Sequence, residues 1–339
     1  MLTTILSDDT PAIHTAATAL TAWNIVAFPT ETVYGLGANA FNEDAVQHIF
    51  SVKWRQADNP LIVHICSVDQ IEAIATIASA AEERLIQTFM PGPLSLALVS
   101  RSTVAPSVTA TLPTVCIRIP DHAIAQKLLA SVAFPIAAPS ANRSGRPSPT
   151  TAAMVYQDLN TQIPYILDGG PSVYGIESTV VTVVWTTVHI LRPGYITAED
   201  IQQALGDAYT VQYASSQHLH QSPGTRYTHY APTIPVSISS DLTADIHRYS
   251  MHNPRHTIAV LVTQETQKLL APFFMTHSDL ITPYTRGSQS HLASCAATLY
   301  QSYHLIEQTN VAILFVEALP ESGLWVSIMN RVKKSAGLR

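Results

Sequence analysis

Short continuous apolar runs alternate with longer stretches of helical spacing over the first two hundred positions. An alanine-rich stripe over 10–23 predicts a helix, and the run 25–28, closed by Pro29, predicts a strand. Helices are predicted over 42–52, 68–88, 151–159 behind Pro149, and 197–205. Apolar runs at 61–66, 94–100, 115–119, 134–138 and 165–167 predict strands, and 178–185 with 188–191 predicts a hairpin-like pair. Strands and helices in alternation with one hairpin describe an α/β domain on a mixed sheet, assigned to residues 1–206. Residues 207–235 lose periodicity and are assigned as a linker. Runs at 257–262 and 311–316 around a helix at 290–308 outline a smaller α/β domain over 236–339.

Composition narrows this picture. The chain has 339 residues, 47% hydrophobic and 12% charged, enough for two apolar cores. No apolar run reaches the ~18 residues of a membrane helix, and no Lys or Arg precedes Lys53, so neither a membrane span nor a basic secretory leader is expected. A cytosolic protein is the expectation. Cys66, Cys116 and Cys295 lie far apart, which points to buried thiols in place of disulfides or metal ligands. A net charge of -6 argues against a surface coated to grip nucleic acid.

The few cations are informative for that reason. Ten of the 18 Lys and Arg precede residue 230, and seven of those ten (Lys53, Arg55, Arg118, Arg143, Arg146, Arg192, Arg226) fall in turns or at strand ends. This placement suggests one localised anion site. The segment Ser140-Ala-Asn-Arg-Ser-Gly-Arg-Pro-Ser-Pro-Thr150 follows an apolar strand and leads into a helix, an arrangement that offers N–H groups to an oxyanion, although the same residues could simply cap the helix. Phe28-Pro-Thr-Glu-Thr-Val-Tyr-Gly-Leu-Gly-Ala38 also begins where a strand ends; its Gly-x-Gly lacks the third glycine of a dinucleotide fingerprint, and a tight turn is the plainer reading. Lys53 and Arg55, two apart, would face one side of an extended segment and reach one polyphosphate, with Asn59 and His64 nearby. Asp168-Gly-Gly-Pro-Ser-Val-Tyr-Gly-Ile-Glu-Ser-Thr179, Arg118 and Leu191-Arg-Pro-Gly194 add further strand ends. Together they describe a cleft rich in hydroxyls and cations without an activated nucleophile, and no metal-ligand spacing occurs among the 14 histidines. Such a site suits transfer at phosphorus, where the substrate carries its own nucleophile.

Phe28-Pro-Thr-Glu-Thr-Val-Tyr-Gly-Leu36, Lys53-x-Arg55, Asn59-Pro-Leu, Pro91-Gly-Pro-Leu, Ser140-Ala-Asn, Gly175-x-Glu-Ser-Thr179 and Arg192-Pro-Gly resemble, in this order, the threonylcarbamoyl-AMP synthase family and its YrdC-type domain. The likeness covers about the first 200 residues, and Ser222-Pro-Gly with His229-Tyr-Ala-Pro232 resembles the linker of its longer members. The resemblance implies a twisted open mixed sheet with helices, then a linker and a small Rossmann-like domain. It implies that L-threonine, bicarbonate and ATP, with Mg2+, yield threonylcarbamoyl-AMP and pyrophosphate for tRNA threonylcarbamoyladenosine modification, a transferase partner taking the product. It places Thr32, His64, Arg118, Ser140 and Ser178 around threonine and Lys53, Arg55, Asn59, Thr114, Asn142, Thr150 and Arg192 around the nucleotide, with His229 and Tyr230 closing over it as a lid. Lys53, Arg55 and Arg118 are the catalytic candidates. Trp54 and Gln56 depart from the family's usual glycine and proline, Thr225 and Thr228 are atypical in the linker, and residues 323–331 follow the family's ending only loosely. The alternatives are an RNA-binding module on the same domain type and, last, a carbamoyl transferase, for which the chain lacks the cysteines and the length.

Overall fold

The computed structural model describes residues 2–215 and 230–338. They form two compact units, the first of residues 2–144, 148–173 and 177–215, the second of 145–147, 174–176 and 230–338.

In the first unit twelve strands make one mixed sheet among the described residues. In chain order they are β1 (Thr4–Leu6), β2 (Val26–Phe28), β3 (Gly35–Asn39), β4 (Ile62–His64), β5 (Ala75–Thr76), β6 (Leu94–Ser100), β7 (Thr114–Arg118), β8 (Ile136–Ala138), β9 (Tyr165–Leu167), β10 (Thr179–Val184), β11 (Thr187–Arg192) and β12 (Thr210–Tyr213). Their spatial order is β1-β9-β2-β3-β8-β4-β7-β6-β10-β11-β12, with β5 paired to β6. β4 and β7 run parallel, while β8 and β6 flank them antiparallel. Carboxyl ends therefore fall on both edges of the sheet.

Strand alternation gives the sheet two unlike faces. Val63, Ile117, Leu94, Leu96, Leu98, Val181 and Ile190 join the main core, with Ile49 and Phe50 of helix Glu43–Lys53, Leu85 of Ala80–Phe89 and Val155 of Ala152–Leu159. On the other face, β2, β8 and β9 pack against helices Thr10–Thr21 and Ala123–Ala130. Farther along that face, Ile62, Ala97, Cys116, Val180 and Leu191 form a small cluster to which no described helix contributes. His64 and Arg118 have the same parity as Ile62 and Cys116, so the helix-free part of the sheet carries them.

Several elements differ from the sequence reading. The helix expected over 68–88 is broken into a 3₁₀ turn at Val68–Ala73, strand β5, and a helix at Ala80–Phe89. Ser79 and Glu82 form a reciprocal capping box, so the helix restarts there. Thr210–Tyr213, inside the stretch read as linker, pairs parallel with β11. Gly35-Leu-Gly, read as a turn, lies in β3 between β2 and β8, and its glycines answer crowding instead of a positive φ. A Cβ on Gly37 would lie 2.6 Å from Ile136 Cγ2 and 2.9 Å from Phe28 Cε1.

The second unit holds a four-stranded, all-parallel sheet in the order β13-β16-β14-β15, from β13 (Val236–Ser239), β14 (Ile258–Val262), β15 (Ile281–Thr285) and β16 (Ile313–Glu317). Its core gathers Ile246, Val260, Val262, Phe274 and Phe315. No described helix of the chain is long and apolar enough to cross a membrane.

Overpacking between strands predicts that Gly37→Ala costs about 1–3 kcal/mol in urea unfolding. An unchanged midpoint would contradict the crowding.

Candidate functional site

The parallel register of β4 and β7 sets His64 directly beside Arg118. Arg118 ends its strand with a guanidinium that is almost fully buried. Its Nη1 donates to Thr32 Oγ1 at 2.8 Å and its Nε to the Gly92 carbonyl at 3.2 Å. Its Nη2 lies 2.6 Å from Glu31 Oε1. That contact is an ion pair by distance without hydrogen-bond alignment, for neither Glu31 oxygen nor Nη2 has a hydrogen-bond partner. Thr32 is fixed in turn by Thr30, whose hydroxyl lies 2.9 Å from its own. The loop after β2 thus reaches the carboxyl end of β7.

His64 is buried, with Nδ1 3.2 Å from the Ile62 carbonyl and its ring edge-on to Phe28 at 5.7 Å. Burial, reinforced by the positive charge of Arg118, pushes the imidazole down to about 3. It is neutral near pH 7.

Ser178, before β10, lies 2.8 Å from Ser95 Oγ and receives a hydrogen bond from Arg192 Nη2 at 3.0 Å. Arg192 also donates through Nε and Nη2 to the Ser178 carbonyl, at 3.1 and 2.9 Å. Arg192 ends β11, and Gly194 behind it permits the approach: a Cβ there would come within 2.2 Å of the Thr179 nitrogen. The Thr179 nitrogen bonds the Pro93 carbonyl at 2.9 Å, next to the Gly92 that holds Arg118. The two clusters share one support.

A third cluster surrounds Lys53, the last residue of helix Glu43–Lys53. Its buried Nζ donates to the Ser140 carbonyl at 2.6 Å and to the Asn142 carbonyl. Burial, with Arg55 adding to it, pushes this amine well below its ordinary range. Ser140 Oγ donates to Asn142 Oδ1. Arg55 clasps its own loop, bonding the carbonyls of Asn59 at 3.2 Å and Pro60 at 2.9 Å. Thr150 is buried against Met154 Sδ. Thr114 opens β7 and so lies about 13 Å from Arg118 at the rise of a strand. The Ser140–Thr150 loop is tied to the loop after β2 by bonds from the Tyr34 nitrogen to Pro149 and from the Ala141 nitrogen to Tyr34.

The structure brings Thr32, His64 and Arg118 together, Ser178 with Arg192, and Lys53 with Ser140 and Asn142. Arg143 stands apart, its Nε on the Asp158 carbonyl at 2.9 Å and its guanidinium 5.2 Å from the Trp54 ring. Arg146 belongs to the second unit and pairs there with Glu307 at 2.9 Å. Tyr230 also belongs to that unit, its buried ring packed on Tyr300 at 5.5 Å. His229 and Arg226 lie outside the described residues, as do the departures Thr225 and Thr228. Burial pushes the Cys116 thiol up to about 12, in keeping with an inert core residue.

Residues 18–194 match the Sua5/YciO/YrdC family model, described as telomere recombination, and residues 196–337 match the model of the threonylcarbamoyl-AMP synthase C-terminal domain. Over 340 aligned positions the chain is 41% identical to the threonylcarbamoyl-AMP synthase of Bacillus subtilis (strain 168), covering 98% of this chain and 95% of that protein. The chain belongs to the threonylcarbamoyl-AMP synthase family. The protein of the same name from Pyrococcus abyssi is 38% identical over 341 positions, covering 96% of this chain and 94% of that one. A crystal structure of P. abyssi Sua5 complexed with L-threonine superposes with a TM-score of 0.88 at 34% identity, covering 100% of this chain and 98% of that one.

Within this family frame, the sequence alone gives no role to Glu31, Ser95 or Gly92. Glu31 stands inside a motif already singled out, and a carboxylate that close to a buried strand-end arginine was the missing signal. Ser95 interrupts an apolar strand, and a polar residue there needs a buried partner.

The His64 shift has a defined sign. Between about 3 and the ordinary value near 6.5 the unfolded chain binds a proton that the folded site refuses, so the stability is full above pH 6.5 and falls as pH drops. From pH 7 to 5 the wild type should lose about 2 kcal/mol more in urea unfolding than His64→Gln. Equal losses would show that the ring protonates freely in the folded state.

Proposed function

We propose that this chain condenses L-threonine, bicarbonate and ATP into threonylcarbamoyl-AMP and pyrophosphate. The observation that carries the reading is the buried Thr32–Arg118–His64 cluster, a carboxylate-binding guanidinium beside hydroxyls and a neutral imidazole, in a chain whose full-length relatives bear this activity in their names. The L-threonine complex of P. abyssi Sua5 supports the same substrate.

In this reading Arg118 takes the amino-acid carboxylate, and Thr32, His64, Ser140 and Ser178 surround the rest of threonine. The neutral His64 adds no charge that would compete with Arg118. Lys53, Arg55, Asn59, Thr114, Asn142, Thr150 and Arg192 hold the nucleotide. Lys53 steadies the loop at Ser140 and Asn142 by donating to their carbonyls, in a low-dielectric seat that disfavours the ammonium form. Among the described residues no group of three or more His, Cys, Asp or Glu could hold a metal ion. Mg2+ fits as an ion carried by the triphosphate and water. The threonine carbamate supplies the oxygen that attacks the α-phosphorus, so the protein contributes position and charge stabilisation. The adenylate then passes to a transferase that modifies tRNA. RNA binding as the primary role has less support, with a net charge of -6 and with Arg143 and Arg146 tied to Asp158 and Glu307.

Pyrophosphate release should require ATP, threonine and bicarbonate together; a rate unchanged without threonine defeats the reading. Arg118→Lys keeps a cation opposite Glu31 but loses the planar fork. It should raise the threonine KM about 10- to 100-fold, from the loss of one charge-assisted contact, and leave the ATP KM within about threefold. Equal loss of both would remove Arg118 from the threonine site.

A further inference from the structure

We propose that Glu31 is the acceptor for the α-ammonium of the amino-acid substrate, so that Arg118 and Glu31 together recognise a zwitterion. The proposal rests on the threonine reading and adds to it a residue and a selection rule.

Glu31 is buried, and its side chain and that of Arg118 are each 4% exposed. A buried carboxylate held only for structure normally fills its lone pairs with hydrogen bonds. Both oxygens of Glu31 lack such a partner, and so does the Nη2 of Arg118 facing it. The remaining nitrogens of that guanidinium are fixed by Thr32 and Gly92, so the pair is anchored on one side and unsatisfied on the other. His122, whose field also reaches Glu31, has an unpartnered buried Nδ1, and burial lowers its affinity for a proton. The charge that Glu31 needs is thus not supplied by its own neighbourhood beyond Arg118.

An α-amino acid carries its carboxylate and ammonium on one carbon. A receptor for both ends must therefore set a cation and an anion side by side, and a separation of 2.6 Å between Arg118 and Glu31 does this. The ammonium offers three N–H donors to oxygens that no aligned hydrogen bond fills. The site would select free α-amino acids and discriminate against the same skeleton with a hydroxyl at the α-carbon.

Isothermal titration with full-length protein tests this. Glu31→Gln keeps the shape and removes the charge; threonine should bind at least tenfold more weakly, with ATP binding within threefold of wild type. If Glu31 only occupied Arg118 until a substrate carboxylate displaced it, the variant would bind threonine equally or more tightly, which overturns the proposal. A second measurement needs no variant: wild type should bind 2,3-dihydroxybutanoate, the α-hydroxy analogue of threonine, at least tenfold more weakly than threonine. Affinities within twofold overturn the proposal while leaving threonine as substrate. A wild type that binds ATP but neither compound removes the threonine reading itself, and this proposal with it.

Discussion

The guanidinium of Arg118 is held away from water by three unlike partners, a hydroxyl of Thr32, a carbonyl of Gly92 and the carboxylate of Glu31. They come from the loop after β2 and the turn before β6, neither adjacent to β7 in sequence. A buried cation without these partners would be costly to keep, so the stability of the first unit favours the loops arriving where they do. Fold and site share one constraint. The turn at Gly92–Pro93 then passes it on, because Pro93 fixes Thr179 beside Ser178, and Ser178 in turn holds Arg192.

A two-residue alternation makes this arrangement possible. Along β4 and β7 each apolar residue bound for the helix-covered core is followed by one on the opposite face, where helices stop short. A slip of one residue in register would send His64 and Arg118 into the core and expose Val63 and Ile117. Mixed strand directions place carboxyl ends on both edges, so the candidate residues run across a face. Thr114 and Arg118, at opposite ends of β7, mark the span. A substrate with an amino-acid end and a nucleotide end suits such a length.

Much of this was legible in the sequence. The strand and helix alternation of the first unit, its mixed sheet and the loops and element ends bearing Thr32, Lys53, Arg118, Ser140, Ser178 and Arg192 follow from apolar runs punctuated by Gly, Pro and Ser. The missing elements have physical causes. β3 is built on glycines that look like a turn because only missing side chains reveal how closely Phe28 and Ile136 press on it. β12 and β1 are short edge strands whose mostly exposed residues give little periodicity. Arg143 and Arg146 fall among the cations of turns and strand ends in the sequence, but Asp158 and Glu307 engage them. The role of Glu31 depends on a contact across 87 residues of chain, which no local pattern encodes.

Condensation of threonine, bicarbonate and the adenylyl group through a carbamate oxygen is open to direct measurement. Incubation with ATP, threonine and ¹³C-bicarbonate, followed by mass spectrometry of the nucleotide products, tests it most directly. The expected product is a threonine-dependent adenylate whose mass rises by one unit with the label, carried in the carbamoyl carbon. An adenylate of threonine without the label, or AMP formed equally well without threonine, would contradict it.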